Sequence, residues 1–171
     1  MTGASNWRLR QRVGLFGCEV GYAVFGDGPS VILVHGTPSR SYIWRNLAPK
    51  LANGFTVYVF DLLGFGESER REGLNVSIAA QARLFAELAE SWGLEAPAVA
   101  VHDIGGGIVL RAHLVEGVKL SRIALVDAII LRPWITPTPR HVKAHLDVYR
   151  TMPTDSFEAI IAAHLRTASY H

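Results

Sequence analysis

The 171-residue chain has little of what marks several common protein classes. It contains one cysteine, Cys18, which excludes a disulfide framework and a cysteine-based metal site. Its formal net charge is only +2, with acidic and basic residues mixed, so the charge pattern does not indicate a nucleic-acid-binding protein. No apolar run reaches membrane-spanning length, and the first twelve residues lack the apolar stretch of a secretory signal. These absences predict a soluble, cytoplasmic protein that does not enter a membrane.

Apolar residues are abundant, at 49% of the chain, and the mean hydropathy of +0.20 indicates a substantial buried core. They fall into short continuous runs, as expected for strands that are covered on both faces. The runs lie at residues 31–34, 55–60, 98–101 and 122–126, and a strand pair at 13–25 precedes them. Because helix-like segments separate these runs, the order predicts an α/β fold with a mostly parallel sheet and helices on both faces.

Two of the intervening helices have recognisable boundaries. Ser39 or Ser41 is expected to cap the first, and Asn75 or Ser77 to cap the second, which ends before Gly93. Each helix places its large apolar residues at steps of three and four, which buries one stripe against the sheet. The stripes are Trp44, Leu47 and Leu51 in the first helix, and Ile78, Ala82, Phe85, Ala89 and Trp92 in the second.

The pattern changes after residue 131. Residues 132–139 are expected to form a proline-rich crossing, followed by helices at 141–151 and 156–169, the second capped by Thr154 or Asp155. The chain stops in mid-pattern at His171, which is typical of the N-terminal part of a longer protein. We therefore predict an incomplete core over residues 1–131 with about six strands, lacking C-terminal strands, and the start of a helical cap over 132–171.

The segment 98–107 reads Ala-Val-Ala-Val-His-Asp-Ile-Gly-Gly-Gly and places Asp103 between a buried strand and a glycine-rich helix start. An aspartate there can simply cap the helix. Glycines after a strand can also form a dinucleotide-binding loop, although that loop normally follows the first strand with the spacing G-x-G-x-x-G. A third interpretation is a nucleophile elbow, whose tight turn leaves no room for side chains at Gly105 and Gly106.

The position of Asp103 in the predicted sheet helps to separate these interpretations. Ligands of parallel sheets bind beyond the carboxyl ends of the strands. The segment 35–37, Asp61, Asp103 and Asp127 all stand at such ends. This shared edge favours a functional role for Asp103 over a helix cap.

Three motifs resemble those of the α/β-hydrolase superfamily, and most closely its aspartate-nucleophile branch of haloalkane dehalogenases and epoxide hydrolases. The resemblance covers residues 13–131 well and the remainder weakly. The motifs are His35-Gly36-Thr37-Pro38-Ser39-Arg40-Ser41-Tyr42-Ile43-Trp44-Arg45-Asn46, Asp61-Leu62-Leu63-Gly64-Phe65-Gly66-Glu67-Ser68 and Val101-His102-Asp103-Ile104-Gly105.

The resemblance implies a hydrolase that acts on a small, largely apolar substrate, without cofactor or metal. Asp103 matches the nucleophile, whose carboxylate needs no base for attack on carbon and forms a covalent ester. The backbone N–H groups of Thr37 and Ile104 match the oxyanion-hole donors. Asp127 stands where many haloalkane dehalogenases carry the acid that orients the general-base histidine, although relatives that take their acid later also have an aspartate there.

The sequence departs from the dehalogenase pattern in one respect that bears on chemistry. Dehalogenases of this type have Asn at the position of Thr37 and Trp at that of Ile104, and the side-chain N–H groups of both bind the leaving halide. Ile104 has no such donor, which argues against dehalogenation. Epoxide hydrolases hold the epoxide oxygen with cap tyrosines, and Tyr149 and Tyr170 lie in the cap-like region without a firm match.

No histidine here matches the family's general base, which follows a later strand. The resemblance therefore implies that this chain alone does not complete the full reaction. His141 and His145 have the helical spacing of a metal-binding pair, but no third ligand is apparent, and no metal site is predicted. Two alternatives stay open at this stage: a specific epoxide hydrolase or haloalkane dehalogenase, and a hydrolase-fold protein or inactive fragment that binds a small ligand without turning it over.

Overall fold

The computed structural model describes residues 7–131 and 137–167. In these residues, six strands form one sheet and are accompanied by helices of four to fourteen residues. The strands are β1 (Gln11–Leu15), β2 (Cys18–Phe25), β3 (Ser30–Val34), β4 (Thr56–Phe60), β5 (Ala98–Asp103) and β6 (Arg122–Ala128). The helices are a short 3-10 helix (Ser41–Trp44), α1 (Ala48–Leu51), α2 (Ile78–Ser91), α3 (Ile104–Leu114), α4 (Pro137–Ala144), α5 (Leu146–Thr151) and α6 (Thr154–Thr167).

The sheet has the order β1-β2-β4-β3-β5-β6. β1 and β2 pair antiparallel, and β2 pairs antiparallel with β4, whereas β4, β3, β5 and β6 are parallel to one another. This confirms the predicted α/β fold with a mostly parallel sheet. The carboxyl ends of β4, β3 and β5 are neighbours, so the loops that follow them meet at one edge.

The core lies on both faces of the sheet, as the continuous apolar runs predict. Successive side chains of a strand point to opposite faces. Ile32 and Val34 of β3 accordingly pack in the cluster that includes α2 and α3, while Val31 and Leu33 pack with α1 and Trp44 on the other face.

Helix α2 has the predicted boundaries. The Ala80 N–H donates to the Ser77 hydroxyl oxygen at 3.3 Å, which satisfies one free donor of the first turn, and Gly93 follows the helix with φ of +67°. Gln81 is buried on this helix, and its side chain donates to the Leu63 carbonyl and accepts from the Leu63 N–H. This amide therefore ties α2 to the loop after β4.

The predicted caps of the first helix are wrong. The Ser39 hydroxyl donates to the Arg40 carbonyl oxygen, and the Ser41 hydroxyl oxygen accepts from the Trp7 indole N–H at 3.0 Å, so neither oxygen caps a helix. The segment also divides into the 3-10 helix and α1 instead of forming one helix. A partner 34 residues away on the chain competes with the local cap.

The second unit of the structure, from Leu131 onward, contains three described helices. Residues 132–136 of the expected crossing lie outside the described residues, and Pro137–Pro139 belong to α4, which corrects that part of the prediction. Proline is tolerated in a first helical turn because the N–H groups there need no intrahelical partner. The helix expected at 141–151 is interrupted at His145, with φ of −130° and ψ of 38°, and the next helix begins at Thr154 rather than at residue 156.

Strand β6 differs from the other parallel strands in its exposure. Ile123, Leu125 and Val126 are 36–48% exposed, whereas Val31, Ile32, Leu33 and Val34 of β3 are buried. β6 pairs with β5 along one side and is the last strand of the described sheet. No described helix combines the length and the apolar content needed to cross a membrane.

Candidate active site

Asp103 forms the corner between β5 and α3. Its backbone has φ of +51° and ψ of −128°, a conformation that is unfavourable for a residue with a Cβ atom and that clusters at functional sites. α3 begins at the next residue, but the Asp103 side chain accepts no hydrogen bond from the first turn of that helix. The helix-cap interpretation is therefore wrong, and the carboxylate is directed to another partner.

The glycines after Asp103 allow the helix to start against the neighbouring strands. A Cβ atom on Gly105 would lie 2.8 Å from the His35 carbonyl oxygen, and one on Gly106 would lie 2.7 Å from the Cβ of Ala128. Real Cβ contacts essentially never fall below 3.0 Å. The tight turn predicted for a nucleophile elbow is therefore present in the backbone.

Thr37 holds one oxygen of the Asp103 carboxylate. Its backbone N–H donates to Oδ2 at 2.7 Å, and its hydroxyl donates to the same oxygen at 3.0 Å. A Cβ atom on Gly36 would overlap the Asp103 side chain, so only glycine lets the two loops approach this closely. The hydrogen bonds that described residues give to this carboxylate all come from Thr37, which leaves Oδ1 unbonded among them.

His35 lies beneath this corner and is fully buried. The Leu62 N–H donates to Nε2 at 2.9 Å, which makes Nε2 an acceptor, and Nδ1 then carries the proton and donates to the Gly36 carbonyl at 2.9 Å. Burial lowers the pKa of His35 below its ordinary value. The ring is therefore a neutral brace between the loops after β3 and β4, and the Asp61 carboxylate, 3.7 Å from Nε2, is not its ion-pair partner.

Asp61 is a buried carboxylate whose two oxygens each accept a backbone hydrogen bond. Oδ1 accepts from the Ser41 N–H at 2.6 Å and Oδ2 from the Glu67 N–H at 2.7 Å. Because Ser41 belongs to the loop after β3 and Glu67 to the loop after β4, Asp61 joins the two loops. A Cβ atom on Gly66 would overlap this carboxylate, which explains the glycine in that turn.

Asp127 stands near the end of β6, on the strand next to Asp103, but the two residues are not paired across the strands. His102 pairs with Val126 and Asp103 with Ala128, so Asp127 is the extra residue of a β-bulge, with φ of +45°. Its side chain is exposed and makes no hydrogen bond among the described residues. Its role as the acid of a triad stays a prediction, as does the use of the Ile104 N–H as an oxyanion donor.

The described histidines have different surroundings. His113 is exposed on α3 with Nδ1 2.7 Å from the Val118 carbonyl oxygen. The rings of His141 and His145 lie 4.5 Å apart in the second unit. Within residues 7–131 and 137–167, no group of three histidine, cysteine, aspartate or glutamate side chains is arranged to hold a metal ion.

Comparison with known proteins decides the family. A model of the alpha/beta hydrolase fold matches residues 29–163. The chain belongs to the alpha/beta hydrolase fold family. This member of the family is 35% identical over 116 residues to a fluoroacetate dehalogenase of a Burkholderia species, and 36% identical over 108 residues to haloalkane dehalogenase 2 of Mycobacterium tuberculosis. The two alignments cover 66% and 60% of this chain.

A solved alpha/beta hydrolase fold protein from Burkholderia ambifaria is 36% identical to this chain and matches it with a TM-score of 0.89. That match covers 93% of this chain and 58% of the other. The chain spans 31–38% of the length of the curated relatives that it matches. The predicted superfamily and fold are confirmed, and the dehalogenase relatives support a hydrolase.

The sequence predicts Asp103 and Thr37 at one edge of the sheet but assigns no role to two residues that shape the site. His35 was recognised only as part of a motif, although a histidine directly after a fully apolar strand is a signal of a buried, hydrogen-bonded ring. Gly36 belongs to the same motif, but the motif alone assigns it no contact. Its contact with Asp103 depends on how close Gly36 lies to the end of β5, which the sequence does not give.

Proposed function

We propose that this alpha/beta hydrolase uses Asp103 as a covalent nucleophile against a saturated carbon of a small, largely apolar substrate. The observation that carries the proposal is the position of the Asp103 carboxylate at a backbone corner with φ of +51°, with Oδ2 held by Thr37 and Oδ1 without a hydrogen bond from the described residues. A carboxylate with one restrained oxygen and one unbonded oxygen is positioned to attack with the latter.

In the first step, Oδ1 forms a bond to the carbon while the bond from that carbon to the leaving group breaks. The electron pair of the broken bond departs with the leaving group, and no proton needs to leave the enzyme. The product is an ester in which Oδ2 is the carbonyl oxygen. Because the Thr37 N–H already donates to Oδ2, it can hold the negative charge that develops there when water attacks the ester. The Ile104 N–H is the second donor that we propose.

The second step needs an activated water and hence a general base. His35 is excluded from that role because Nε2 accepts the Leu62 N–H, and burial lowers the pKa of the ring. We therefore propose that the general base is not one of the residues that form this site after β3, β4 and β5. This chain should then complete alkylation without efficient release of product.

Two substrate classes remain in competition. The similarity to a fluoroacetate dehalogenase and to a haloalkane dehalogenase favours an alkyl halide. The site itself is less suited to halide, because the Thr37 hydroxyl donates to Asp103 and the Ile104 side chain has no donor. An epoxide keeps the leaving oxygen on the same molecule, where the alkoxide formed by ring opening takes a proton from water, and no free halide is released. This makes epoxides the second candidate.

The experiment is incubation of the chain with 1-bromobutane or with 1,2-epoxybutane, followed by intact mass measurement and peptide mapping. We expect a single adduct on the peptide that contains Asp103, absent from Asp103→Asn. Asp127→Asn is the matched control, since it removes a carboxylate from the end of the neighbouring strand and should leave the adduct in place. A folded sample that forms no adduct with either reagent would favour a protein that binds without reacting, and sustained turnover would show that the chain already contains its base.

A further inference from the structure

A concave site separate from Asp103 lies between the loops after β3 and β4. It is a cavity of about 390 Å³. Its lining includes Pro38, Ser39, Arg40, Phe65, Gly66 and Arg70. We call this cavity the Arg40–Arg70 groove. Asp103 is not among its lining residues, so the groove is separate from the nucleophile, although Pro38 directly follows Thr37.

The walls of the groove are held in place by buried hydrogen bonds. Asp61 accepts the Ser41 N–H from one loop and the Glu67 N–H from the other, and its side chain is inaccessible to solvent. His35 adds a further connection through the Leu62 N–H. The groove is therefore preformed, which reduces the ordering cost that a ligand would meet on binding.

Two arginines, Arg40 and Arg70, are the charged side chains that line the groove. Glu67 is shared by three arginines, with Arg8 at 2.8 Å, Arg12 at 3.4 Å and Arg40 at 3.8 Å. The hydrogen bond from Arg8 and the charges of the three arginines lower the pKa of Glu67. Arg70 is exposed and makes no ion pair or hydrogen bond within the described residues.

The two guanidinium groups differ in how they are held. Arg40 lies over the Tyr42 ring at 5.5 Å in addition to its contact with Glu67, so its position is restrained. Arg70 is free to turn toward a ligand. Guanidinium groups pair well with planar carboxylates and with phosphates, and Pro38 and Phe65 supply an apolar wall in the same cavity.

We propose that the Arg40–Arg70 groove binds a small anionic molecule, with its carboxylate or phosphate beside the two arginines and a flat apolar body against Pro38 and Phe65. The cavity volume suits a ligand of one ring with one charged group. This inference goes beyond the proposed reaction and does not depend on it, because binding here involves no bond to Asp103.

Phenyl phosphate, benzoate and inorganic phosphate are the probes, with benzyl alcohol as the neutral counterpart. Binding to the 171-residue chain is measured by calorimetry and by ¹H–¹⁵N shifts. We expect phenyl phosphate and benzoate to bind and to shift the Gly66 amide, inorganic phosphate to bind more weakly, and benzyl alcohol not to bind. Arg70→Gln should weaken phenyl phosphate binding about tenfold, since it removes a charge-assisted partner.

The matched control is Arg83→Gln, which removes one charge from an exposed arginine on α2 that does not line the groove. It should leave the dissociation constant unchanged, and Asp103→Asn should leave it unchanged as well. If Arg70→Gln and Arg83→Gln weakened phenyl phosphate binding equally, the effect would come from the overall charge of the protein. The proposed binding site would then be wrong. Binding of benzyl alcohol as tight as that of phenyl phosphate would overturn the anionic recognition. Loss of binding in Asp103→Asn would place the ligand in the catalytic corner instead.

Discussion

Two aspartates stand at the carboxyl ends of β4 and β5, on either side of β3 at the same edge of the sheet, yet they are held in different ways. Asp61 follows β4, is fully buried, and uses both carboxylate oxygens to accept backbone N–H groups. Asp103 ends β5, is partly exposed, and has hydrogen bonds from Thr37 on one oxygen alone among the described residues. Asp103 also has a positive φ, which Asp61 does not.

The difference separates a structural carboxylate from the carboxylate that we propose as the nucleophile. Each oxygen of Asp61 compensates for the loss of water by accepting a hydrogen bond, so the buried charge holds two loops together. Asp103 has an unfavourable backbone conformation, which typically costs about 1–3 kcal/mol. Its Oδ1 accepts no hydrogen bond from the described residues. The comparison predicts that equivalent substitutions at the two residues have opposite consequences for stability and for reactivity.

The largest effect on stability is expected from Asp61→Asn. The amide keeps one acceptor oxygen but turns an NH₂ group toward a backbone N–H, which leaves that donor buried and unpaired. We expect a loss of about 4 kcal/mol in the free energy of unfolding, because a charged hydrogen bond is lost and a buried donor is left unsatisfied. Urea denaturation followed by circular dichroism measures it.

Asp103→Asn is the control for that change, and it should cost less than about 1 kcal/mol because the amide oxygen can still accept from Thr37. The same variant should abolish the covalent adduct. Equal destabilisation by the two substitutions would remove the distinction between a structural and a reactive carboxylate.

The second prediction tests the close approach of Gly36, which follows β3, to Asp103 at the end of β5. Gly36→Ala should destabilise the protein by about 2–3 kcal/mol and suppress the adduct, since the added methyl group overlaps the Asp103 side chain. Gly14→Ala is the matched control, because a Cβ atom on Gly14 in β1 meets nothing within 4 Å. The comparison uses urea denaturation and intact mass. Gly36→Ala that alkylates at the normal rate would show that the corner tolerates a wider separation than we infer.

Sequence alone could predict this edge but could not assign the different roles within it. The apolar runs before Asp61, Asp103 and Asp127 indicate strands of similar length, and parallel strands bring their carboxyl ends together. Each carboxylate has a partner that lies far from it on the chain: the Ser41 N–H precedes Asp61 by 20 residues, and Thr37 precedes Asp103 by 66. The bulge that displaces Asp127 is likewise a property of pairing between β5 and β6.

Partners from distant parts of the chain also explain why the predicted caps of the first helix are wrong. A serine before an apolar stripe is normally a cap, but the Ser41 hydroxyl accepts from the Trp7 indole. Within the part of the chain that the structure describes, no distant residue donates to the Ser77 hydroxyl oxygen, and Ser77 caps α2 as predicted. Local signals succeeded where nothing from elsewhere on the chain competed for the same atom.

The third prediction concerns His35, which connects the loops after β3 and β4 through hydrogen bonds with Gly36 and Leu62. Its pKa is lowered on folding, so between that value and 6.5 the unfolded chain binds more protons than the folded chain. The contribution of His35 to stability is therefore present above pH 6.5 and is lost as the pH falls below it. Urea denaturation at about pH 7.5 and about pH 5.5 should show a larger loss on acidification in the wild type than in His35→Gln. An identical loss in both proteins would contradict the neutral, buried ring.

The smallest effect is expected at Thr37, where two donors share one carboxylate oxygen. The backbone N–H is the shorter partner of Oδ2, at 2.7 Å against 3.0 Å for the hydroxyl. Thr37→Val keeps the N–H and the branched side chain and removes the hydroxyl alone. We expect the rate of adduct formation to fall about threefold, because the longer of the two hydrogen bonds that orient the carboxylate is lost while the backbone donor remains.

A time course of intact mass with 1,2-epoxybutane measures this rate, and Thr37→Ser, which keeps a hydroxyl, should stay close to the wild type. A loss in Thr37→Val as complete as that of Asp103→Asn would mean that the hydroxyl, and not the backbone N–H, positions the nucleophile. A faster reaction would mean that the hydroxyl restrains the carboxylate instead of aiming it. Either result would change the comparison of Asp103 with Asp61. Backbone N–H groups would then hold the Asp61 carboxylate, whereas the Thr37 hydroxyl would determine the behaviour of Asp103.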